Sequence, residues 1–174
     1  MKVEKYLQEV AKVMARVIIA RKVGGKCRDL PALCKRQEEK TGILSYDGWF
    51  GILIKQEDFN IFPKENLLVF EKDPVDSDWR SSEKFNITGT KKEIFYLEED
   101  EFLSGALKKK NATLAELVSE AERKIWINEK YLKYFDRHAD FYQKCDGSMI
   151  CISDATCHGV PVLTAVVMPV RYSE

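Results

Sequence analysis

The chain has 174 residues with 28 basic and 28 acidic side chains, so its formal net charge is zero. Proteins that bind duplex nucleic acid usually carry a basic excess, because neutralised phosphates supply much of the affinity. The balanced charge therefore argues against nucleic acid as the partner. Length and the 45% apolar content fit a globular chain, and we expect residues 1–174 to form a single domain.

The lengths of the apolar runs and the spacing of the cysteines indicate the cellular compartment of the protein. No run approaches the roughly 18 apolar residues that a membrane span needs, and the apolar stretch 13–20 contains Arg16. No cleavage site of small residues follows that stretch. Five cysteines without regular spacing argue against a disulfide framework. We expect a soluble cytoplasmic protein with no membrane partner.

Charge is unevenly distributed along the chain. Residues 1–40 carry eleven Lys/Arg against five Asp/Glu, whereas residues 57–101 carry six against thirteen. The plain interpretation is two solvated faces of opposite sign. The alternative is an anion-attracting face at the N-terminal end, with residues 16–40 contacting a polyanion.

The first elements are predicted as helices. Apolar residues recur at three- and four-residue steps in 3–22, which places them on one stripe that covers a sheet or pairs with another subunit. Gly24 and Gly25 end this amphipathic helix. A short helix is predicted over 30–40, with Pro31 at its start.

Strand patterns follow. The apolar runs 49–54 and 67–70 predict strands buried on both faces. Residues 85–88 and 93–97 flank Gly89 and predict a hairpin. Residues 149–152 and 160–170 predict two more strands, and Pro161 and Pro169 indicate that the last has an edge position or irregular ends.

A long helix is predicted in the C-terminal half. Helical spacing returns over 100–109 and over 113–144, where Thr113 and Glu116 have the spacing of a capping box. Strands in runs followed by helices in runs are typical of α+β proteins. We therefore expect an α+β fold, in which a largely antiparallel sheet of about five or six strands packs against the N-terminal helix and the long helix.

Cysteine and histidine cluster near the C-terminus, and thiolate and imidazole are the ligands that zinc prefers. The candidate ligands are Cys145, Cys151, Cys157 and His158, with His138 on the preceding helix. No tight Cys-x-x-Cys knuckle is present, and cysteines often serve as small buried hydrophobes. Both interpretations remain open.

The same cluster offers a nucleophile. Cys157 falls in a predicted turn, His158 is its neighbour, and Asp154 is placed to orient a histidine. Adjacent side chains of an extended strand point to opposite faces, which weakens the pairing of Cys157 with His158. A cysteine-dependent enzyme is therefore a hypothesis beside ordinary structural cysteines.

An acidic loop is predicted over 73–82. Asp76 and Asp78 begin like a calcium loop, but Arg80 occupies the next ligand position and the required glycine is missing. Trp79 either anchors this loop on the core or contacts a partner. Asp76, Asp78, Trp79 and Arg80 are therefore candidate partner-binding residues.

Two functions of different class remain. One is a non-enzymatic binding or regulatory module that recognises a protein or a small ligand. The other is a thiol-dependent enzyme or a zinc-binding domain built on the Cys/His cluster. Neither a cofactor nor an oligomeric state can be identified from these residues.

Overall fold

The computed structural model of the protein describes residues 2–23, 31–35, 40–61, 68–70, 82–96, 109–135, 138–143 and 149–170. These residues form one α-helix, α1 (Val3–Lys22), and the 3₁₀ helices Gln56–Ile61 and Glu129–Tyr134. They also form twelve strands: β1 (Ala32–Lys35), β2 (Thr41–Ser45), β3 (Phe50–Lys55), β4 (Leu68–Phe70), β5 (Glu83–Tyr96), β6 (Lys109–Ser119), β7 (Lys124–Asn128), β8 (Asp140–Gln143), β9 (Ile150–Ser153), β10 (Ala155–Cys157), β11 (Val160–Val162) and β12 (Ala165–Val167).

Ten strands form one mixed sheet in the order β4-β1-β2-β3-β12-β9-β8-β5-β6-β7. The pair β1–β4 is parallel, and the other strand pairs of the described chain are antiparallel. β10 and β11 form a separate two-stranded sheet. The predicted α+β fold with a sheet of five or six strands and a long C-terminal-half helix is therefore wrong, because the sheet dominates.

The predicted long helix is replaced by β6, β7, the 3₁₀ helix Glu129–Tyr134 and β8. β6 is paired on both sides, and its residues 114–117 are all buried. A strand covered on both faces carries apolar residues at nearly every position, so three- and four-residue spacings arise in it without a helix. Thr113, predicted as the helix cap, lies within this strand.

Other predicted elements also differ. The predicted helix 30–40 contains β1 instead, and residues 36–39 lie outside the described chain. β5 runs through Gly89 as one strand with a register shift between Ile87 and Lys91, so the predicted hairpin is wrong. For the predicted helix 100–109, residues 100–108 lie outside the described chain.

The strands predicted from apolar runs are present in the structure. The run 49–54 corresponds to β3, the run 67–70 to β4 and the run 149–152 to β9. β4 differs in being exposed at the sheet edge rather than buried. The predicted strand 160–170 divides into β11 and β12, and β12 lies inside the sheet between β3 and β9 rather than at an edge.

The predicted helix 3–22 is confirmed as α1. One face of α1 buries Tyr6, Val10 and Met14 in a core whose other members come from β1, β2, β3, β5–β9, β12 and the second 3₁₀ helix. Val170 donates from its backbone N to the Trp126 carbonyl at 2.7 Å, which joins the segment after β12 to the end strand β7. The end strand β7 therefore contacts the segment that follows β12, a strand from the middle of the sheet order. In the described ranges no helix has the length and apolar character of a bilayer span.

Gly51 allows β2 and β3 to pack closely, and we expect Gly51→Ala to lower the free energy of unfolding by about 2 kcal/mol. A Cβ atom at this position would lie 2.5 Å from Ile43 Cγ2 and 3.3 Å from the Leu44 carbonyl oxygen. Ile43 is buried and cannot swing away. Urea unfolding measures the change. Ile43→Ala removes the clashing methyl group, so an equal cost of Gly51→Ala in both backgrounds would contradict this explanation.

Candidate functional site

A tight turn between β2 and β3 presents an exposed tryptophan. Ser45 Oγ accepts a hydrogen bond from the Gly48 backbone N at 2.8 Å. Asp47 Oδ1 accepts from the backbone N of Trp49 at 3.0 Å and of Phe50 at 3.3 Å. Side chains of serine and aspartate that bind the following backbone in this way fix a turn without help from a ligand.

The second carboxylate oxygen of Asp47 fastens this turn to a distant part of the chain. Asp47 Oδ2 accepts from the Tyr131 hydroxyl at 2.6 Å and from Lys130 Nζ at 3.0 Å. Both donors belong to the second 3₁₀ helix, whose start is capped by Asn128 Oδ1 accepting from the Lys130 backbone N at 3.0 Å. Each oxygen of Asp47 accepts two bonds, which fills the capacity of a carboxylate. The role of Asp47 is therefore to hold the turn.

Packed aromatic rings lie under the turn. The Phe50 ring stacks on Tyr131 at 4.9 Å and on Tyr134 at 5.6 Å between centroids, and it meets Tyr6 edge-on at 5.1 Å. Tyr6 also donates its hydroxyl to the Phe50 carbonyl at 2.8 Å, and that hydroxyl accepts from the Tyr46 backbone N at 3.3 Å. α1, the turn and the second 3₁₀ helix are thus joined through one aromatic cluster, comprising Tyr6, Tyr46, Phe50, Tyr131 and Tyr134.

Three tyrosines of the aromatic cluster, Tyr6, Tyr46 and Tyr131, are held in their neutral form. Burial raises the pKa of Tyr6 well above its usual range, and the negative charge of Asp47 raises it further. Burial also raises the pKa of Tyr131, followed by its hydrogen bond to Asp47. The pKa of Tyr46 is raised by burial, and the negative charge of Asp47 raises it further. These phenols therefore donate hydrogen bonds rather than act as bases near neutral pH.

Trp49 is 56% exposed although its backbone is fixed on both sides. Its backbone N is bound by Asp47, and its carbonyl accepts from the Met168 backbone N at 2.7 Å. Met168 is also exposed, as is Lys130 on the other side of Asp47. We name Gly48, Trp49, Lys130 and Met168 the Trp49 surface.

The predicted Cys/His cluster is spread over several environments. Cys157 and His158 are exposed at the hairpin between β10 and β11, where His158 and Gly159 have positive φ angles of 50° and 76°. Positive φ at both central residues is the requirement of a tight two-residue hairpin turn. Asp154 is partly buried at the base of this hairpin, and Cys151 is buried in β9 beside Ile43, Leu163 and Val166. His138 is exposed between the second 3₁₀ helix and β8.

The metal and thiol hypotheses stay predictions. Among the described residues no three of the His, Cys, Asp and Glu side chains lie close enough together to hold a metal ion. Cys145, the remaining proposed ligand, lies outside the described residues. Cys157 is a free thiol and is exposed, whereas Cys34 is partly buried and Cys151 is buried.

Residues 73–81 of the predicted acidic loop also lie outside the described residues, and with them Asp76, Asp78, Trp79 and Arg80. The Trp49 turn was not predicted as a site. A signal for it exists in Asp47-Gly48, a dipeptide typical of tight turns, which lies between the apolar residues of β2 and those of β3.

Comparisons with protein-family models, with curated proteins and with solved structures give no match to this chain.

Proposed function

We propose that the protein is a non-enzymatic binding module that recognises a protein partner through the Trp49 surface. The observation that carries the proposal is a largely exposed tryptophan on a turn whose conformation is already fixed by hydrogen bonds. Tryptophan is enriched among the residues that dominate binding energy at protein interfaces. A fixed turn also avoids part of the ordering cost that association imposes on a flexible loop.

The chemistry of the Trp49 surface supports a protein partner rather than a small ligand. Small-molecule sites are concave and bury most of their ligand. Trp49 and Met168 are instead exposed at a turn and just after a strand, and the exposed Lys130 binds Asp47 in the same turn. An apolar centre bordered by a cation is typical of a protein interface. The exposed, free thiol of Cys157 agrees with a proposed cytoplasmic location.

We expect Trp49→Ala to weaken partner binding by about tenfold or more, because truncating an aromatic at the centre of an interface commonly costs over about 1.4 kcal/mol. Its stability should change little, since the side chain lies largely in solvent. Immobilised wild-type protein and the variant are incubated with the same cell extract, and retained proteins are compared by quantitative mass spectrometry.

Phe70→Ala provides the matched control. Phe70 is also an exposed aromatic, on β4, which lies three strands from β3 and hence about 14 Å away. A partner of the Trp49 surface is retained by wild type and by Phe70→Ala but lost with Trp49→Ala. If every protein retained by wild type is retained equally by Trp49→Ala, the proposed surface is wrong.

A further inference from the structure

The helix α1 has a second apolar face that points to solvent. Its first face is buried, whereas exposed apolar residues follow one another along the opposite side toward the C-terminal end. Ile19 is 62% exposed and Val23, directly after the helix, is 78% exposed. The exposed face comprises Ala11, Ala15, Ile18, Ile19 and Val23. An amphipathic helix that only covers its own core needs no such second stripe.

This exposed face lies in a segment of one charge sign. Residues 10–28 contain no Asp or Glu, and their basic residues are Lys12, Arg16, Arg21, Lys22, Lys26 and Arg28. Lys12 pairs with Glu9 at 3.0 Å. Within the described ranges, no ion pair involves Arg16 or Lys22. Exposed apolar side chains bordered by cations attract an occupant that is apolar on one side and acidic at its margins.

We propose that the exposed face of α1 docks an acidic amphipathic helix of a partner protein. Helix recognition of this kind uses apolar anchors spaced three and four residues apart, as Ala11, Ala15, Ile18 and Ile19 are. The small side chains of Ala11 and Ala15 allow a second helix to approach closely. They would contribute little to insertion into a lipid surface, where burial of large apolar groups supplies the binding energy.

A second copy of this chain is a poor occupant for the same face. Pairing two α1 helices would place Arg16 and Lys22 of one copy near the same cations of the other, and like charges across an interface are unfavourable. The face is also separate from the Trp49 surface. Tyr6 contacts the aromatic cluster near the start of α1, and Ile19 lies about 20 Å further along the helix axis.

The test uses the full chain and a synthetic helical peptide. Leucine and alanine occupy one face of the peptide, and glutamate borders it. We expect saturable binding by fluorescence anisotropy, weakened by added salt as surface charge pairs are. Arg16→Glu and Ile19→Ala should each reduce the affinity about tenfold, because one reverses a bordering charge and the other removes an anchor. Both residues are exposed, so both variants should fold.

Control variants and a control peptide distinguish binding to the exposed face of α1 from general attraction between opposite charges. Lys55→Glu reverses an exposed cation on β3 and should leave the affinity unchanged, as should Trp49→Ala. A peptide of identical composition but scrambled order should not bind. Equal binding of the scrambled peptide would overturn the proposal. Failure of the ordered peptide to bind would also overturn the proposal. If the full chain instead bound vesicles of phosphatidylcholine and phosphatidylserine, or duplex DNA, and Ile19→Ala lost that binding, the exposed face would have a different occupant.

Discussion

Replacing Asp47 with alanine should lower the free energy of unfolding by about 3 kcal/mol, among the larger effects of a single polar substitution. The change removes the acceptor of four hydrogen bonds, from the backbone N of Trp49 and Phe50, the Tyr131 hydroxyl and Lys130 Nζ. The exposed lysine can return to water. The Tyr131 hydroxyl belongs to a buried side chain, so the loss of its partner carries most of the cost. Urea unfolding monitored by circular dichroism measures the change.

Two variants define what Asp47 contributes. Asp140 also pairs with a lysine, Lys84 at 2.9 Å, and accepts from a tyrosine, Tyr142 at 3.4 Å, but it lies in a more exposed position. Asp140→Ala should therefore cost less than about 1 kcal/mol. Combining Asp47→Ala with Tyr131→Phe should cost clearly less than the two changes summed, because both remove the same bond. Two results would contradict the proposed role of Asp47 in holding the turn. One is full additivity of the two changes, and the other is an Asp47→Ala cost no greater than that of Asp140→Ala.

The locally determined part of the fold could be predicted from the sequence. α1 was identified because its buried residues Tyr6, Val10, Met14 and Val17 recur at the helical period. β3 and β9 were identified because strands buried on both faces are continuous apolar runs. In each case the pattern within the segment itself specifies the element.

Elements that depend on distant pairing could not be predicted in the same way. β6 contains Ala112, Leu114, Ala115, Glu116 and Leu117, which are good helix formers, yet it pairs with both β5 and β7. Strand preference depends on neighbouring strands more than helix preference depends on its surroundings, so pairing overrides propensity. The apolar run of β7, Ile125 to Ile127, is too short to outweigh the apparent helical stripe.

The candidate site was missed for the same reason. Asp47-Gly48 signals a turn, but nothing in the local sequence indicates that Tyr131, 84 residues later, donates to that carboxylate. Tyr131 and Tyr134 have helical spacing, although they come together with Phe50 in the aromatic cluster only after the sheet has formed. The contact between the two halves of the chain that completes the site is therefore not indicated by the sequence of either half.

The aromatic cluster also predicts how stability depends on alkaline pH. Tyr6 and Tyr131 have pKa values raised above the ordinary value of 10.0 by burial and by Asp47. In the unfolded chain these phenols lose their protons near pH 10, whereas in the folded protein they keep them. Their contribution is therefore complete below pH 10 and is lost as pH rises above it. Above pH 10, each group that stays protonated in the folded protein removes up to about 1.4 kcal/mol of stability per pH unit.

Urea unfolding at a series of pH values from about 8 to about 12 tests this dependence, with tyrosinate absorbance following ionisation in the folded state. Tyr6→Phe and Tyr131→Phe each remove one group. Each should lower the alkaline slope by about 1.4 kcal/mol per pH unit, whatever it costs at neutral pH through lost hydrogen bonds. Because the slope reports only the difference in bound protons, it separates ionisation from packing. An unchanged slope in the double variant would show that the two phenols ionise in the folded protein as readily as in the unfolded chain, and that Asp47 and burial do not hold them neutral.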